Sequence, residues 1–404
     1  VSSFMGGAKN QMMQEDEQGW SFTDKSVCGR CVNEEALESI LEEEADARFR
    51  CNFCGGAPAA SLNVLLQAFA NGLRNEYEDA IDSAPWEGRE GGFQVHPQWD
   101  TWELVDDFAE VFVGEGLLTV VQDAMHLITW VENDWATRRR DVVFNEAWDR
   151  FCEAVKFKTR FVFWMLTEDN GRGAGEIPPA KILDQVGQLV ARLSLIRVLP
   201  PGYPVWRAQA HNEPEIDHSA SRLGTAPRKD ALTANRMSPA GIPMFYGSTD
   251  LDTAISEVAC HSHKKNVTWG QFELTADLPV VDFTLLPPVP SMFDPDLGSL
   301  HRHIEFFHRF VDQLSDRVQP RYEQIDYVPT QIVTEYLLRV HGNGESPRGL
   351  IYKSYLTDEE CLVLDIPNDH CIDPTVTAPQ SQTQLRLIAG SVGSRPITQT
   401  DCPE

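Results

Sequence analysis

Apolar positions recur along this chain in two rhythms, and the change from one to the other divides it. Up to about residue 197 the rhythm is helical. Leu62, Leu65, Leu66, Phe69 and Leu73 fall three and four apart, as do Leu104, Phe108, Val111 and Phe112, the spacing that gathers side chains on one face of a helix. The pattern predicts helices across residues 58–165, with breaks at Gly88–Gly92 and at Gly114 and Gly116. Leu117–Trp130, Val142–Leu166 and Ala180–Leu195 each read as a helix, and Glu34–Arg50 as a short, very acidic helical insert. Residues 1–19, polar and rich in Gly, Gln and Met, read as a loose tail.

From Val198 the apolar runs shorten to strand length. They are Val205–Ala208, Met244–Gly247, Gly270–Thr275, Val280–Phe283, Leu350–Ser354 and Cys361–Leu364. Helices are expected at Leu300–Leu314 and Thr330–His341, and Leu286–Pro290 is a stiff connector. Strands and helices do not alternate regularly, so the class is α+β, not a doubly wound sheet. The organisation expected is a helical domain over 20–197, a mixed domain over 198–374 and a polar tail over 375–404. No internal repeat is present.

Composition narrows the partners. A chain of 404 residues, 42% hydrophobic, is long enough for two or three domains with real cores. Its formal charge of −27 is shared by both halves, residues 1–196 carrying 34 acidic against 17 basic side chains. Such a surface repels phosphate backbones, so nucleic acid is not expected as a partner, whereas a basic protein is compatible. No run of eighteen apolar residues exists, and Val1–Phe4 does not begin a basic-then-apolar leader, so neither a membrane span nor a signal peptide is expected.

The nine cysteines change the picture of the first domain. Cys28-Gly-Arg-Cys31 and Cys51-Asn-Phe-Cys54 are separated by nineteen residues. Two such knuckles present four thiolates to one ion, which completes the tetrahedral shell of a structural Zn2+ and leaves no position for a reacting water. Phe53 inside the second knuckle reads as packing. Cys152, Cys260, Cys361, Cys371 and Cys402 are scattered, the usage of a reduced, metal-binding chain, and the compartment expected is the cytoplasm.

The densest candidate chemistry lies in Arg236–Glu257. Pro239 and Gly241 form a turn, Ile242–Gly247 reads as a strand, and Ser248 or Thr249 is placed to cap a helix starting near Asp250. Leu251, Ala254, Ile255 and Val258 share one helical face, with Glu257 near the other. A phenol (Tyr246) and a carboxylate (Glu257) thus come eleven residues apart on a strand and the following helix. On residue type alone a helical Glu is usually a solvated face residue, and a strand Tyr a half-buried packing residue.

The order of these elements resembles the RES-domain toxins, a bacterial family that destroys NAD+. The family pattern matches Trp206-Arg207, Arg236 before the Pro–Gly turn, Tyr246, Glu257 and the Tyr352-Lys353-Ser354 strand, with Tyr327-Val-Pro-Thr-Gln331 like the family's Tyr-x-x-Thr-Gln helix start. The match spans about half the chain. The cysteines and helices before it resemble the N-terminal domain found with HEPN and RES toxins.

That resemblance implies a fold similar to the ADP-ribosyltransferases and a site in which Arg207 clamps the NAD+ phosphates, Tyr246 stacks on nicotinamide or ribose, Glu257 stabilises the positive ribose and Ser354 holds substrate. Arg236 and Tyr352 line the pocket. It implies NAD+ as substrate, water or phosphate as nucleophile, and restraint by an antitoxin or by the N-terminal domain itself; a homo-oligomer is left open. His211–Asp230 departs from the family as a long polar connection, and 284–326 as an enlarged insertion. Two other functions compete: transfer of ADP-ribose to a macromolecule, and an inactive RES-like module that docks a protein. Weaker motifs are Arg302–His308 with HEPN-ribonuclease spacing, Cys260-His261-Ser-His263 as metal ligands, the Gly171–Gly175 loop and the basic Arg138–Arg140.

Overall fold

The computed structural model describes residues 2–89, 92–133, 139–165, 177–260, 262–315, 319–341, 346–376 and 383–402. Gly171–Gly175, Arg138 and His261 fall outside them. The described residues gather into two compact units, one formed by the chain up to Val142 together with Pro288–Glu305, the other by the rest. No described helix is long and apolar enough to cross a membrane.

The first unit is built on the helix Leu62–Glu76, whose Leu62, Leu65, Leu66, Phe69 and Leu73 are all fully buried, as the spacing predicts. Phe69 meets Phe108, Phe112 and Phe293 at ring separations of 5.0–5.9 Å. Phe293 comes from the segment expected to be an insertion of the mixed domain, so that segment completes this core. The run expected as one helix over Leu117–Trp130 is divided: the helix ends at Ala124, and Thr129–Glu132 is the middle strand of a small sheet between Tyr77–Asp79 and Trp99–Asp100. Thr, Trp and Val favour a pleated surface over a helix. Residues expected as a loose tail form the helix Ser2–Gln18; no proline interrupts them, and Met, Gln and Glu are good helix formers.

The second unit is organised by a ten-stranded sheet. Its strands in chain order are β1 (Ile196–Leu199), β2 (Pro204–His211), β3 (Phe245–Ser248), β4 (Asn266–Leu274), β5 (Leu278–Asp282), β6 (Gly349–Lys353), β7 (Glu360–Leu364), β8 (Cys371–Ile372), β9 (Leu385–Leu387) and β10 (Gly393–Pro396). The spatial order is β8-β9-β4-β2-β3-β7-β6-β5-β1, with β10 also on β4. Pairing is antiparallel except β5 with β6 and β8 with β9. The six expected strands are all present, and the α+β class holds.

Three expectations fail here, the boundary of the helical domain at residue 197 among them. The C-terminal stretch expected as a tail supplies β9 and β10, which pair with β4; Leu385 and Leu387 point one way into the core, a short alternation hidden in polar composition. Cys260 and Cys402, expected among scattered reduced thiols, are joined by a disulfide across 142 residues, which removes Cys260 from any metal set. The helices Arg140–Phe157 and Pro179–Arg192 lie largely or wholly in this unit, because Trp148, Phe151, Val186 and Val190 share a core with Phe306, Phe307 and Phe310.

Candidate active site

Strand alternation sorts the candidate residues by face. On β2, Trp206 and Ala208 pack with Ala254 and Ile255 of the helix Leu251–Ala259, which carries Glu257. Val205 turns to the opposite face, into the core of Leu223, Phe245 and Phe272. Arg207 shares that second face. Its guanidinium lies 4.9 Å over the Phe245 ring, Nε donates to Leu223 O at 2.9 Å and Nη1 to Tyr246 O at 2.7 Å. Burial lowers it to about 10, so it stays charged at neutral pH. The resemblance implies that Arg207 shares a ligand site with Glu257; its guanidinium lies on the opposite face of the sheet, bound to main-chain carbonyls.

Tyr246 projects from β3 to the face that carries the helix. Gly247 follows it because the strands approach closely there: a Cβ would stand 2.5 Å from Val205 Cγ1 and 2.6 Å from Trp206 O. The Tyr246 hydroxyl accepts from Met237 N at 3.3 Å and lies 2.9 Å from Ser238 Oγ. Burial raises the phenol to about 12, against the opposing pull of those hydrogen bonds and of Arg207. Tyr246 therefore fastens the turn that follows Arg236.

The same turn is held from the other side by Val328–Arg339. Thr330 Oγ1 donates to Arg236 O at 2.5 Å, and Gln331 Nε2 to Asn235 O at 2.7 Å. Arg236 is thereby set 5.5 Å over the Tyr327 ring, and its Nη1 donates to Leu314 O at 3.1 Å. The Tyr327-Val-Pro-Thr-Gln331 run thus serves as a brace for the Arg236 turn. Ser238 and Tyr327 are site residues that the sequence reading did not select; their signal was adjacency to Arg236 and membership in that run.

Glu257 sits on a helix capped by Asp250, whose carboxylate accepts from Thr253 N at 2.8 Å. Ser248, expected as a cap, instead accepts from Asp250 N at 3.1 Å. Just past β6, Ser354 Oγ donates to Glu257 Oε1 at 2.5 Å. Ser354 is buried and also accepts from Leu356 N at 3.1 Å. Thr357 Oγ1 meets Thr253 Oγ1 at 2.8 Å, so the loop after β6 grips the helix twice. Tyr352 is buried on the same side; burial raises its phenol well above the usual value, Cys361, Glu257 and Tyr246 add to the rise, and Arg236 opposes it. Glu257, Ser354, Tyr246, Tyr352 and Arg236 therefore form one neighbourhood, with Arg207 apart from it. A carboxylate fixed by a buried hydroxyl, with a guanidinium and phenol rings nearby, is suited to stabilise positive charge on one part of a ligand and to hold an anionic part at another.

In the first unit the four knuckle sulfurs come within 4.8 Å of one another. Cys28–Cys31, Cys28–Cys54 and Cys31–Cys51 are 3.9, 3.5 and 3.5 Å apart. A tetrahedron with metal–sulfur bonds of about 2.3 Å has edges of about 3.8 Å, so the donor set fits one ion. Burial raises the Cys28 and Cys31 thiols. At Cys51 burial acts the same way, but hydrogen bonds from the backbone at Phe53, Cys54 and Cys28 and from the Cys31 thiol together outweigh it and bring the thiol to about 7. The weaker motifs have structural partners: Arg302 pairs with Glu76 and Glu305, His308 Nε2 lies 2.8 Å from Pro287 O, and Arg139 pairs with Asp141.

Comparison with protein families finds two matches. The model for HEPN/RES N-terminal domain 1 matches residues 44–169, and that for the RES domain matches residues 204–387, from the first residue of β2 to the last of β9. No curated protein and no solved structure matches the chain.

Proposed function

Because the chain is a RES-domain protein with an N-terminal domain of the HEPN/RES type, we propose that it cleaves NAD+ at the nicotinamide–ribose bond and acts as a bacterial toxin or defence effector. A RES domain supports a toxin-like, NAD+-related function in general. The cleavage itself rests on one observation above the others: the Glu257 carboxylate is fixed by Ser354 at 2.5 Å on the face of the sheet that also presents Tyr246 and Tyr352.

When the glycosidic bond breaks, its electron pair leaves with the pyridinium nitrogen and gives neutral nicotinamide. The ribose carbon is left positive, and Glu257 lies where a carboxylate lowers the energy of that charge. Water or phosphate then forms the new bond, giving ADP-ribose or ADP-ribose 1″-phosphate, and a proton passes to solvent when water attacks. The Tyr246 hydroxyl is engaged with Ser238 and Met237, so its ring is what the ligand meets. We assign the diphosphate to Arg236, the guanidinium on Glu257's side of the sheet. Arg207 then has a supporting part, tying β2 to β3 and to Leu223. A fold of the ADP-ribosyltransferase kind belongs to the same reading.

In the first unit we propose that Cys28, Cys31, Cys51 and Cys54 hold structural Zn2+. Four thiolates leave no open coordination position, so the ion supplies folding energy there and no chemistry. Restraint by an antitoxin or by the N-terminal domain is the corresponding proposal for regulation.

The test is NAD+ loss by the purified full chain, with and without phosphate, products resolved by mass. Loss that disappears in Glu257→Ala supports the assignment. Undiminished NAD+ consumption by that variant sinks it.

A further inference from the structure

The helix Leu251–Ala259, on which Glu257 stands, is held from two sides. The loop after β6 takes one side through Ser354 and Thr357. The last stretch of chain takes the other. β10 pairs with the start of β4, and Ile397, whose N–H donates to Lys265 O at 2.8 Å, packs against the cluster that holds Ala254 and Ile255. Asp401 is buried and folds the stretch back on itself. It accepts from Thr398 N at 2.7 Å, and Arg395 Nη1 and Nη2 donate to its two carboxylate oxygens at 2.7 and 2.5 Å. One residue on, Cys402 is bonded to Cys260, which ends the helix one turn beyond Glu257. The family match stops at residue 387, so this clasp lies beyond the matched RES domain. We propose that the Cys260–Cys402 bond is a redox latch that sets how firmly the turn bearing Glu257 is held, opened by a dithiol and closed by a disulfide oxidant.

The cysteines divide sharply. Of nine, seven are free thiols and this pair alone is bonded. Cys402 is exposed and Cys260 half-buried, so a small thiol reaches the bond. An exposed disulfide is the labile kind, unlike one shut away as a permanent brace. No scattered thiol competes for it. Cys361 and Cys371 are buried, and burial pushes the half-buried Cys152 to about 12, so none of the three supplies an attacking thiolate at neutral pH.

Opening is a balanced exchange. One thiolate of the dithiol attacks Cys402 Sγ, the S–S bond breaks, and Cys260 leaves as a thiolate that takes up a proton. The second thiolate displaces Cys402 from the mixed disulfide, and Cys402 takes a proton in turn. Two electrons have passed from the dithiol to the chain. A disulfide such as oxidised glutathione runs the sequence backwards and leaves as two thiols. In the open state β10 keeps its ladder on β4, and Arg395 keeps Asp401. What is lost is the covalent tie at the helix end, where the carbonyls already lack intrahelical partners. Glu257 belongs to that last turn. The bearing of the latch on turnover rests on the NAD+ reading above.

The test compares the full chain treated with oxidised glutathione, the same chain treated with dithiothreitol, and Cys402→Ser with and without dithiothreitol. Alkylation after unfolding should label seven thiols in the oxidised chain and nine in the reduced one. Hydrogen exchange at 256–260 and 393–402 should be about tenfold faster in the reduced chain and in Cys402→Ser, with β2 and β6 unchanged. Their kcat for NAD+ loss should be at least about threefold below that of the oxidised chain, with KM nearly the same. Cys402→Ser should not respond to dithiothreitol. Nine labelled thiols in the oxidised chain overturn the latch. So do equal exchange at 256–260 in both states, equal kcat in an active chain, or a dithiothreitol response that survives in Cys402→Ser. A chain that consumes no NAD+ in either state defeats the NAD+ reading alone, and exchange at 256–260 then decides the latch.

Discussion

Ser354 and Glu257 meet across 97 residues of sequence, the hydroxyl donating to the carboxylate at 2.5 Å. The contact joins the loop after β6 to the helix after β3, and it is buried at the serine end. A carboxylate gripped in this way cannot swing to solvent without leaving the hydroxyl unpaired.

Removing the grip should reduce turnover more than it reduces stability. Ser354→Ala is expected to lower kcat for NAD+ loss at least about tenfold, the scale of a hydrogen bond to a charged group, with KM nearly unchanged. Steady-state kinetics of the full chain check this, and wild-type kcat in the variant would refute the positioning role.

The two arginines should separate by phenotype. Arg207→Ala takes the guanidinium from the Tyr246 carbonyl, leaves the Leu223 carbonyl to Gln209 Nε2 and should destabilise the fold by about 2 kcal/mol, read as a lower Tm. Arg236→Ala should leave Tm within a few degrees and raise KM for NAD+ about tenfold. A KM effect confined to Arg207→Ala would reverse the assignment of the diphosphate.

Alkaline pH provides a third check. The Tyr246 phenol is raised to about 12 by burial, above the value near 10 of an exposed phenol. Between those values the unfolded chain releases a proton that the folded chain keeps, so unfolding is favoured as pH rises. The stabilising share of Tyr246 should be whole below pH 10 and fade between about 10 and 12. Melting curves from pH 8 to 11.5 should show a steeper fall for the wild type than for Tyr246→Phe; parallel falls would contradict the burial argument.

Metal analysis of the chain purified without chelator should find about one equivalent of zinc. Cys31→Ser should lose it and lower the Tm of the first unit, and a strong chelator should do the same to the wild type. Full stability in metal-free protein would remove the structural role.

Much of the second unit was legible because its strands are short apolar runs bounded by Pro, Gly and Asp. The site neighbourhood was legible through motif order, down to Glu257 and Ser354. What escaped depended on distance or on face. Gly393–Pro396 has no apolar alternation to mark it as a strand; it is one because β4 offers an edge. Phe293 looks like any loop phenylalanine until Phe69 is beside it. Arg207 adjoins Trp206, and on a strand adjacent residues face opposite ways, so the motif could name the arginine but not the side of the sheet that it serves.

The segment Pro288–Glu305 belongs with the first unit although it is encoded between β5 and β6 of the second. On the ribosome, therefore, the N-terminal unit cannot complete its core when its own 142 residues have emerged, because Phe293 and the Met292 carbonyl that accepts from Asn75 are still to come. By then β1 to β5 have been made, while Tyr352 and Ser354 have not. Synthesis in this order supplies the last segment of the acidic, cysteine-bearing unit before it supplies the hydroxyl partner of Glu257, so the second unit is the last to have all its pieces.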